Sequence, residues 1–355
     1  NDLNGAIIEY RKAIDLDPKE PEAHYNLGLA LHDKGRLDEA VAEYREALRL
    51  KPDCPEAHNN LGNALNEKGL LDEAIAEFRE AIRLNKELCQ AHVNLGAALH
   101  DKGWLDEAVA ECQEALRLRN DDPCAHCNLG HVLRDKGQFS EALTHLRRGH
   151  ELGAKEPRWP YPSAQWVKEC ERLVELDAKL PAILSGKEQP ASAAERAEYA
   201  DVCQKKRLYA AAAHLYREAL SASPDLVASP VSDSLRFDAA CAAARAGCGA
   251  GEDAGKLTDA ERAGLRKQAL DWLRADLDAR RGLLDKGPDK ARHEVKEMMQ
   301  NWLRDPDFNG VRGPDALGKL PEAERKEWQK LWADVADTLA RAQETTAQGQ
   351  RPGAK

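Results

Sequence analysis

PEAHYNLGLALHDKGRLDEAVAEYREALRLKPDC, residues Pro21–Cys54, decides how this chain is built. The stretch returns 34 residues later as Pro55–Leu88, again as Cys89–Asp122, and in weaker form as Pro123–Glu156. A period of that length is the mark of a repeat array in which neighbouring units complete one another's core. Each unit divides at a glycine (Gly35, Gly69, Gly103, Gly137) into two amphipathic halves, which predicts a helix, a tight turn and a second helix. Asn1–Glu20 matches only the second half of the unit, and the chain opens on Asn rather than Met. That start is expected to be a cut through a longer protein.

With Pro21 as position 1, small or apolar residues recur at positions 7, 8, 11, 20, 24 and 27. In the first full unit these are Leu27, Gly28, Leu31, Ala40, Tyr44 and Ala47, and in the second Leu61, Gly62, Leu65, Ala74, Phe78 and Ala81. The third has Leu95, Gly96, Leu99, Ala108, Cys112 and Ala115, and the fourth Leu129, Gly130, Leu133, Ala142, Leu146 and Gly149. Ala6, Tyr10, Ala13 and Pro18 supply the same marks in the half unit. A small residue at position 8 allows the paired helix to approach closely, with position 20 expected opposite it. Asp38, Asp72 and Asp106 are expected to cap the second helices.

This pattern resembles the tetratricopeptide repeat (TPR) family over residues 1–156. The resemblance implies an all-α fold: a right-handed α-solenoid of helix hairpins. One departure is position 4, usually Trp in the family, where this chain has His24, His58, His92 and His126. Stacked helices are too widely spaced for these rings to share a zinc ion, so they are expected to be packing residues.

At about 100° per residue, positions 2, 5, 6, 9 and 13 fall on one side of the first helix. In TPR superhelices that side lines the concave groove. Position 6 is always Asn (Asn26, Asn60, Asn94, Asn128) and position 13 always acidic (Asp33, Glu67, Asp101, Asp135). An amide can both donate to and accept from a peptide backbone, and the run looks like the asparagine ladder of the O-linked N-acetylglucosamine transferase. These eight residues are the candidate peptide-binding set; the alternative for the acidic ones is an ordinary solvated face partly paired with Lys34, Lys68, Lys102 and Lys136. No Lys or Arg occupies the inward positions. An acidic chaperone tail is therefore a poor ligand, and an extended, basic protein or peptide segment fits better. Asn60→Ala plus Asn94→Ala is expected to weaken capture and leave melting unchanged.

The rest of the chain offers little chemistry. Cys124 and Cys127 form a lone CxxC without a second pair. Gly247–Gly255 lacks a Gly-Lys-Ser/Thr. Asp307-Phe308-Asn309-Gly310 only faintly matches the kinase magnesium motif and has no companion kinase signatures. No catalytic centre, metal site or cofactor is expected. The 52 Lys and Arg against 62 Asp and Glu give a net charge of −10, which argues against nucleic-acid binding. No apolar run is long enough to span a bilayer, so no membrane contact is expected. Nine cysteines without framework spacing suit a reducing, cytoplasmic setting.

After Glu156 the period breaks. The domain reading is a TPR array over 1–156, a Pro/aromatic connector and capping helix over 157–190, a degenerate TPR-like helical C-terminal region over 191–345, and a disordered tail over 346–355. PRWPYPSAQW (157–166) is expected to cover the last repeat, followed by a helix over 164–177, a turn at Pro181 and a loop over 185–190. Ala200, Ala212, Tyr216, Ala219 and Pro224 restore the frame at positions 8, 20, 24, 27 and 32 of a unit starting at Ala193. Phe237–Ala246 predicts another first helix, Glu261–Arg280 its partner, and His293–Leu303 and Pro321–Ala342 two more. Trp302, Trp328 and Trp332 are expected to anchor a C-terminal cap. WPYPSAQW (159–166), ERLVELDAKLP (171–181), FDAACAAARAGCG (237–249) and residues 301–335 resemble C-terminal regions of planctomycete-type bacterial TPR proteins, many of which carry a Ser/Thr kinase domain before the repeats.

The function expected is therefore an interaction scaffold holding extended peptides. The alternatives are the docking region of a larger Ser/Thr kinase and, more distantly, the TPR region of a glycosyltransferase-linked protein.

Overall fold

The computed structural model describes residues 2–223, 235–286 and 289–348, and all regular structure among them is helical. The chain divides into two compact units, Asn1–Val174 and Glu175–Lys355.

The first unit is a stack of hairpins. Helix α1 (Leu3–Leu16) is a lone second helix. Four pairs follow: α2 (Pro21–Asp33) with α3 (Leu37–Leu50), α4 (Pro55–Glu67) with α5 (Leu71–Leu84), α6 (Cys89–Asp101) with α7 (Leu105–Leu118), and α8 (Pro123–Asp135) with α9 (Phe139–Gly153). Each turn is made by a left-handed glycine, with φ of 70° at Gly35, 75° at Gly69, 78° at Gly103 and 74° at Gly137. Its N–H closes back on the residue three before it, as in Gly35 N–H to the His32 carbonyl at 2.8 Å.

The close approach within a pair differs from expectation in its partner. A methyl group on Gly28, Gly62, Gly96 or Gly130 would meet the side chain at position 24 first: Tyr44 at 2.7 Å, Phe78 at 2.6 Å, Cys112 at 2.7 Å and Leu146 at 2.6 Å. Position 20 contributes its backbone beside them, with the Ala142 carbonyl 3.1 Å from the Gly130 site. Ala40, Ala74, Ala108 and Ala142 are wholly buried, and their small size brings that backbone near.

The capping expectation is corrected. The second helices begin at Leu37, Leu71 and Leu105, and their N-cap residues Arg36, Leu70 and Trp104 make no side-chain cap. Asp38, Asp72 and Asp106 lie one residue inside. From there they meet lysines of the next unit: Lys68 with Asp38 and Lys102 with Asp72, each at 2.6 Å, and Lys136 with Asp106.

Helix α10 (Ser163–Leu184) includes Pro181, where a turn was expected. Pro181 sits in the last helical turn. There the missing N–H removes one bond only, and its carbonyl still accepts from Ser185 N–H at 3.1 Å. At the start of α10, within the first unit, Trp159 lies on Gly153 and donates to Ser163 Oγ at 2.9 Å. Trp166 meets the edge of His131 at 4.5 Å between centroids, and Cys170 is wholly buried.

In the second unit, α11 (Ala193–Lys205) and α12 (Tyr209–Ala222) repeat the hairpin. Ala200, Ala212 and Ala219 are wholly buried and Tyr216 nearly so; Pro224 lies outside the described residues. At the turn, where the other units have glycine, Arg207 takes φ 60°. Helix α13 (Leu235–Gly247) leads through a loop to α14 (Asp259–Lys286). That loop has a structural task. Asp253 accepts from the N–H groups of Ala210 and Ala211, at 3.2 and 2.9 Å, and so caps α12 from a distance. Helices α15 (Asp289–Arg304), α16 (Pro314–Gly318) and α17 (Glu322–Gln348) follow. Trp302, Trp328 and Trp332 are buried around Phe237 and Phe308. Of the tail expected over 346–355, α17 includes residues 346–348, and 349–355 lie outside the described residues.

Candidate functional site

The four position-6 asparagines share one face of the stacked first helices and remain half-buried, while Leu27, Leu61, Leu95 and Leu129 beside them are buried. Three of them are tied across the seam to the preceding unit. Asn60 Nδ2 donates to Tyr25 Oη at 2.9 Å, Asn94 Nδ2 to Asn59 Oδ1 at 3.0 Å, and Asn128 Nδ2 to the Val93 carbonyl at 3.3 Å. The acceptor is each time position 5 of the unit before. The asparagines therefore stitch neighbouring first helices together, a role the sequence reading did not assign. This corrects the expectation that replacing Asn60 and Asn94 leaves melting unchanged, since a hydrogen bond of this kind contributes about 1 kcal/mol. Asn26 makes no such bond among the described residues.

The acidic residues of position 13 are distributed unevenly. Glu67 accepts from His32 Nε2 at 3.0 Å, and Asp135 from His100 Nε2 at 2.8 Å and Arg134 Nε at 3.1 Å. Asp33 and Asp101 are exposed and have no ion pair among the described residues. The lysines of the solvated-face alternative do not partner this row: Lys68, Lys102 and Lys136 turn to Asp38, Asp72 and Asp106, and Lys34 to Asn4. Of this row, Asp33 and Asp101 therefore keep a carboxylate without a cationic partner among the described residues.

At position 4 the histidines are enclosed, as packing residues would be, yet each is held by polar bonds at both ring nitrogens. His58 Nδ1 contacts Glu77 Oε2 at 2.6 Å and its Nε2 the Pro52 carbonyl at 3.0 Å. His24 pairs in the same way with Glu43 and the Pro18 carbonyl, and His92 with Glu111 and the Lys86 carbonyl. At His58 and His92 two acceptors facing one ring favour its doubly protonated form. Burial opposes that charge at His58 and His92. The bonds to Glu77 and Glu111, to the carbonyls and the acidic field outweigh it and raise both pKa values above the ordinary one. The fourth rung differs. His126 Nδ1 faces His145 Nδ1 at 3.0 Å, and burial pulls both rings below the usual value. The signal was present in the sequence as Glu43, Glu77, Glu111 and His145, always 19 residues after the histidine.

A cavity of about 320 Å³ opens between the first full unit and the start of α4 in the next. Its walls include Glu22, Tyr25, Asn26, Lys51, Cys54 and Glu56. The CxxC is packing: Cys127 is buried against Gly149, and burial pushes its thiol up to about 12. All nine cysteines are free thiols. In the second unit Cys241, Asp305 and Asp307 come together. Both carboxylates there already have structural partners: Asp307 pairs with Arg245 at 2.8 Å, and Asp305 accepts from Asp307 N–H at 2.8 Å. Among the described residues no helix is long and apolar enough to cross a membrane.

Two family models match the first part of the chain. One, described as TPR repeat, covers residues 1–35, 29–69, 62–103 and 98–133; the other, described as Tetratricopeptide repeat, covers 125–148. No curated protein sequence matches the chain. Among solved structures, a MamA crystal structure is 26% identical, with a TM-score of 0.41 over 43% of this chain and 90% of that one. YrrB, described as a TPR protein with an unusual peptide-binding site, is 21% identical, with a TM-score of 0.38 over 61% of this chain and 93% of that one. The APC/C hetero-tetramer Cut9-Hcn1 is 20% identical, with a TM-score of 0.47 over 67% of this chain and 46% of that one. The stacked hairpins, their left-handed glycine turns and the two matching models agree: residues 1–148 are an array of tetratricopeptide repeats.

Proposed function

We propose that the inward face of α2, α4, α6 and α8 binds extended segments of other proteins, with a preference for basic ones. One observation carries this reading. The inward positions hold six acidic residues and no Lys or Arg. Glu67 and Asp135 meet His32, His100 and Arg134, while Glu22, Asp33, Glu56 and Asp101 have no cationic partner among the described residues, and Lys68, Lys102 and Lys136 pair elsewhere. A face of one sign attracts a ligand of the other and accelerates its encounter. Asn26 offers an amide with both donor and acceptor open to a peptide backbone. The asparagines at the other three rungs serve the seam first and keep less capacity for a ligand.

The test uses arrays of blocked extended decapeptides of varied charge against the full chain. Basic peptides should bind more tightly than acidic ones, and the affinity should fall as salt rises. Asn26→Ala with Asp33→Asn and Asp101→Asn should weaken capture by about tenfold, since charge-assisted contacts contribute on the order of 1.5 kcal/mol. Melting should not change, because none of the three has a hydrogen-bond or ion-pair partner for its side chain among the described residues. Equal binding by the triple variant would refute the reading. The second-half stretches also favour a narrower version, in which this face is the docking region of a Ser/Thr kinase. Reading the coding sequence upstream of Asn1 for kinase motifs decides between the two.

A further inference from the structure

The cavity between the first full unit and the start of α4 is chemically unlike the equivalent place in the other units. Position 5 is Tyr25 here, but Asn59, Val93 and Cys127 elsewhere, and those three are all buried. Tyr25 is half-buried, with its ring tilted against Tyr44 at 6.1 Å and its hydroxyl fixed by Asn60 Nδ2 at 2.9 Å. The ring is therefore a rigid wall. Ala47 and Ala57 are buried and contribute an apolar lining. Glu22 and Glu56 stand on the same cavity, and neither has a cationic partner among the described residues. Lys51 also lines it, without an acidic partner among the described residues, so the cavity carries two negative charges and one positive.

We infer that this cavity is an anchor pocket for an arginine side chain of the bound peptide. The inference rests on the peptide-groove reading and names the side chain which that reading leaves open. Guanidinium is a planar cation that stacks on an aromatic face and bonds carboxylates through a fork of N–H groups. The pocket supplies each of these needs: the Tyr25 ring, apolar lining for the methylene stem, and the Glu22 and Glu56 carboxylates. Asn26, on the same wall, reaches the peptide backbone beside the anchor. Lys51 faces the backbone carbonyls or a carboxylate next to the arginine and disfavours a second cation there. A lysine side chain has the charge but neither the plane nor the fork, so arginine is preferred over lysine. Tyr25 has its pKa raised by burial, then by Cys54 and by Glu56, consistent with a negative field at this wall.

The experiment uses fluorescein-labelled, C-terminally amidated decapeptides of Ser, Ala and Gly with one central residue varied among Arg, Lys, Leu and Glu. The full chain should bind the arginine peptide several-fold more tightly than the lysine peptide and at least tenfold more tightly than the leucine and glutamate peptides. Glu22→Gln with Glu56→Gln should erase the arginine preference and leave the leucine peptide unaffected. Tyr25→Phe, which keeps the ring, should retain the preference, and Tyr25→Leu should lose it. The carboxylate variant is monitored by far-UV circular dichroism and should keep the parent's helical content and a cooperative melt, losing only the small first-turn contribution of the two charges, because neither side chain has an ion pair among the described residues. Binding without arginine preference, or a preference that survives Glu22→Gln with Glu56→Gln, overturns the anchor assignment alone. If no extended peptide binds, the groove reading falls with it.

Discussion

Gly62→Ala is the sharpest test of how the hairpins are built. In an open helix this change is favourable by about 1 kcal/mol, because glycine is the poorer helix former. In α4 the added methyl would lie 2.6 and 2.7 Å from two carbons of the Phe78 ring and 3.0 Å from a third. Carbon atoms prefer about 3.5–4.0 Å, so ring or helix must move by roughly 1 Å. Phe78 is only 1% exposed, which leaves the ring little room to yield. Overpacking of this kind costs about 1–3 kcal/mol, and the balance is a loss of about 1 kcal/mol. Phe78→Ala alone removes a buried ring and should cost about 3–5 kcal/mol. In that background the Gly62 methyl enters space the ring has left, and Gly62→Ala should become stabilising by about 1 kcal/mol. The two changes are thus coupled by about 2 kcal/mol, within the range seen for residues in contact. Urea unfolding of the full chain, read by circular dichroism, gives the four stabilities. Hydrogen exchange at the amides of α4 and α5 assigns the effect to this hairpin, since repeats open locally. Gly62→Ala stabilising in both backgrounds would refute the close-approach argument.

The histidines predict a pH profile with two opposed arms. At His58 and His92 the folded state raises the pKa, so their contribution is complete below the ordinary histidine value and is lost as pH rises through the raised values. Glu77→Gln with Glu111→Gln should flatten that alkaline arm in a series of thermal melts. His131 behaves oppositely. Burial, then Arg134 and His100, bring it down to about 4, so its contribution holds above about 6.5 and is lost as pH falls toward 4. His131→Gln should flatten the acid arm, and an unchanged profile in either variant counts against the assignment. In the second unit, Arg207 occupies a left-handed position that glycine takes at the other turns. Arg207→Gly should stabilise the α11–α12 hairpin by up to about 1 kcal/mol, because a side chain there costs about 1–2 kcal/mol. A lower melting temperature would show that contacts of the arginine side chain outweigh the strain.

Much of this protein is determined by sequence alone. A 34-residue period with glycine at the turn and small residues at positions 8 and 20 leaves little choice but stacked hairpins, since no unit can bury its own apolar face. The half unit, the face carrying Asn26 and Asp33, and the absence of Lys and Arg from that face follow from counting positions. Pairing choices are another matter, because they join residues about 19, 30 or 35 apart, across helices whose relative register no local pattern states. Asn60 could face a ligand or Tyr25, and only stacking brings the hydroxyl to 2.9 Å. Lys68 could neutralise Glu67 beside it, yet the turn aims it at Asp38 in the unit before. His58 is a packing residue by position and a ring bonded at both nitrogens by environment, because the hairpin brings Glu77 across from it. The repeat fixes which side chains share a face of the first helices. Stacking decides which of those are already engaged, and so which remain for a ligand.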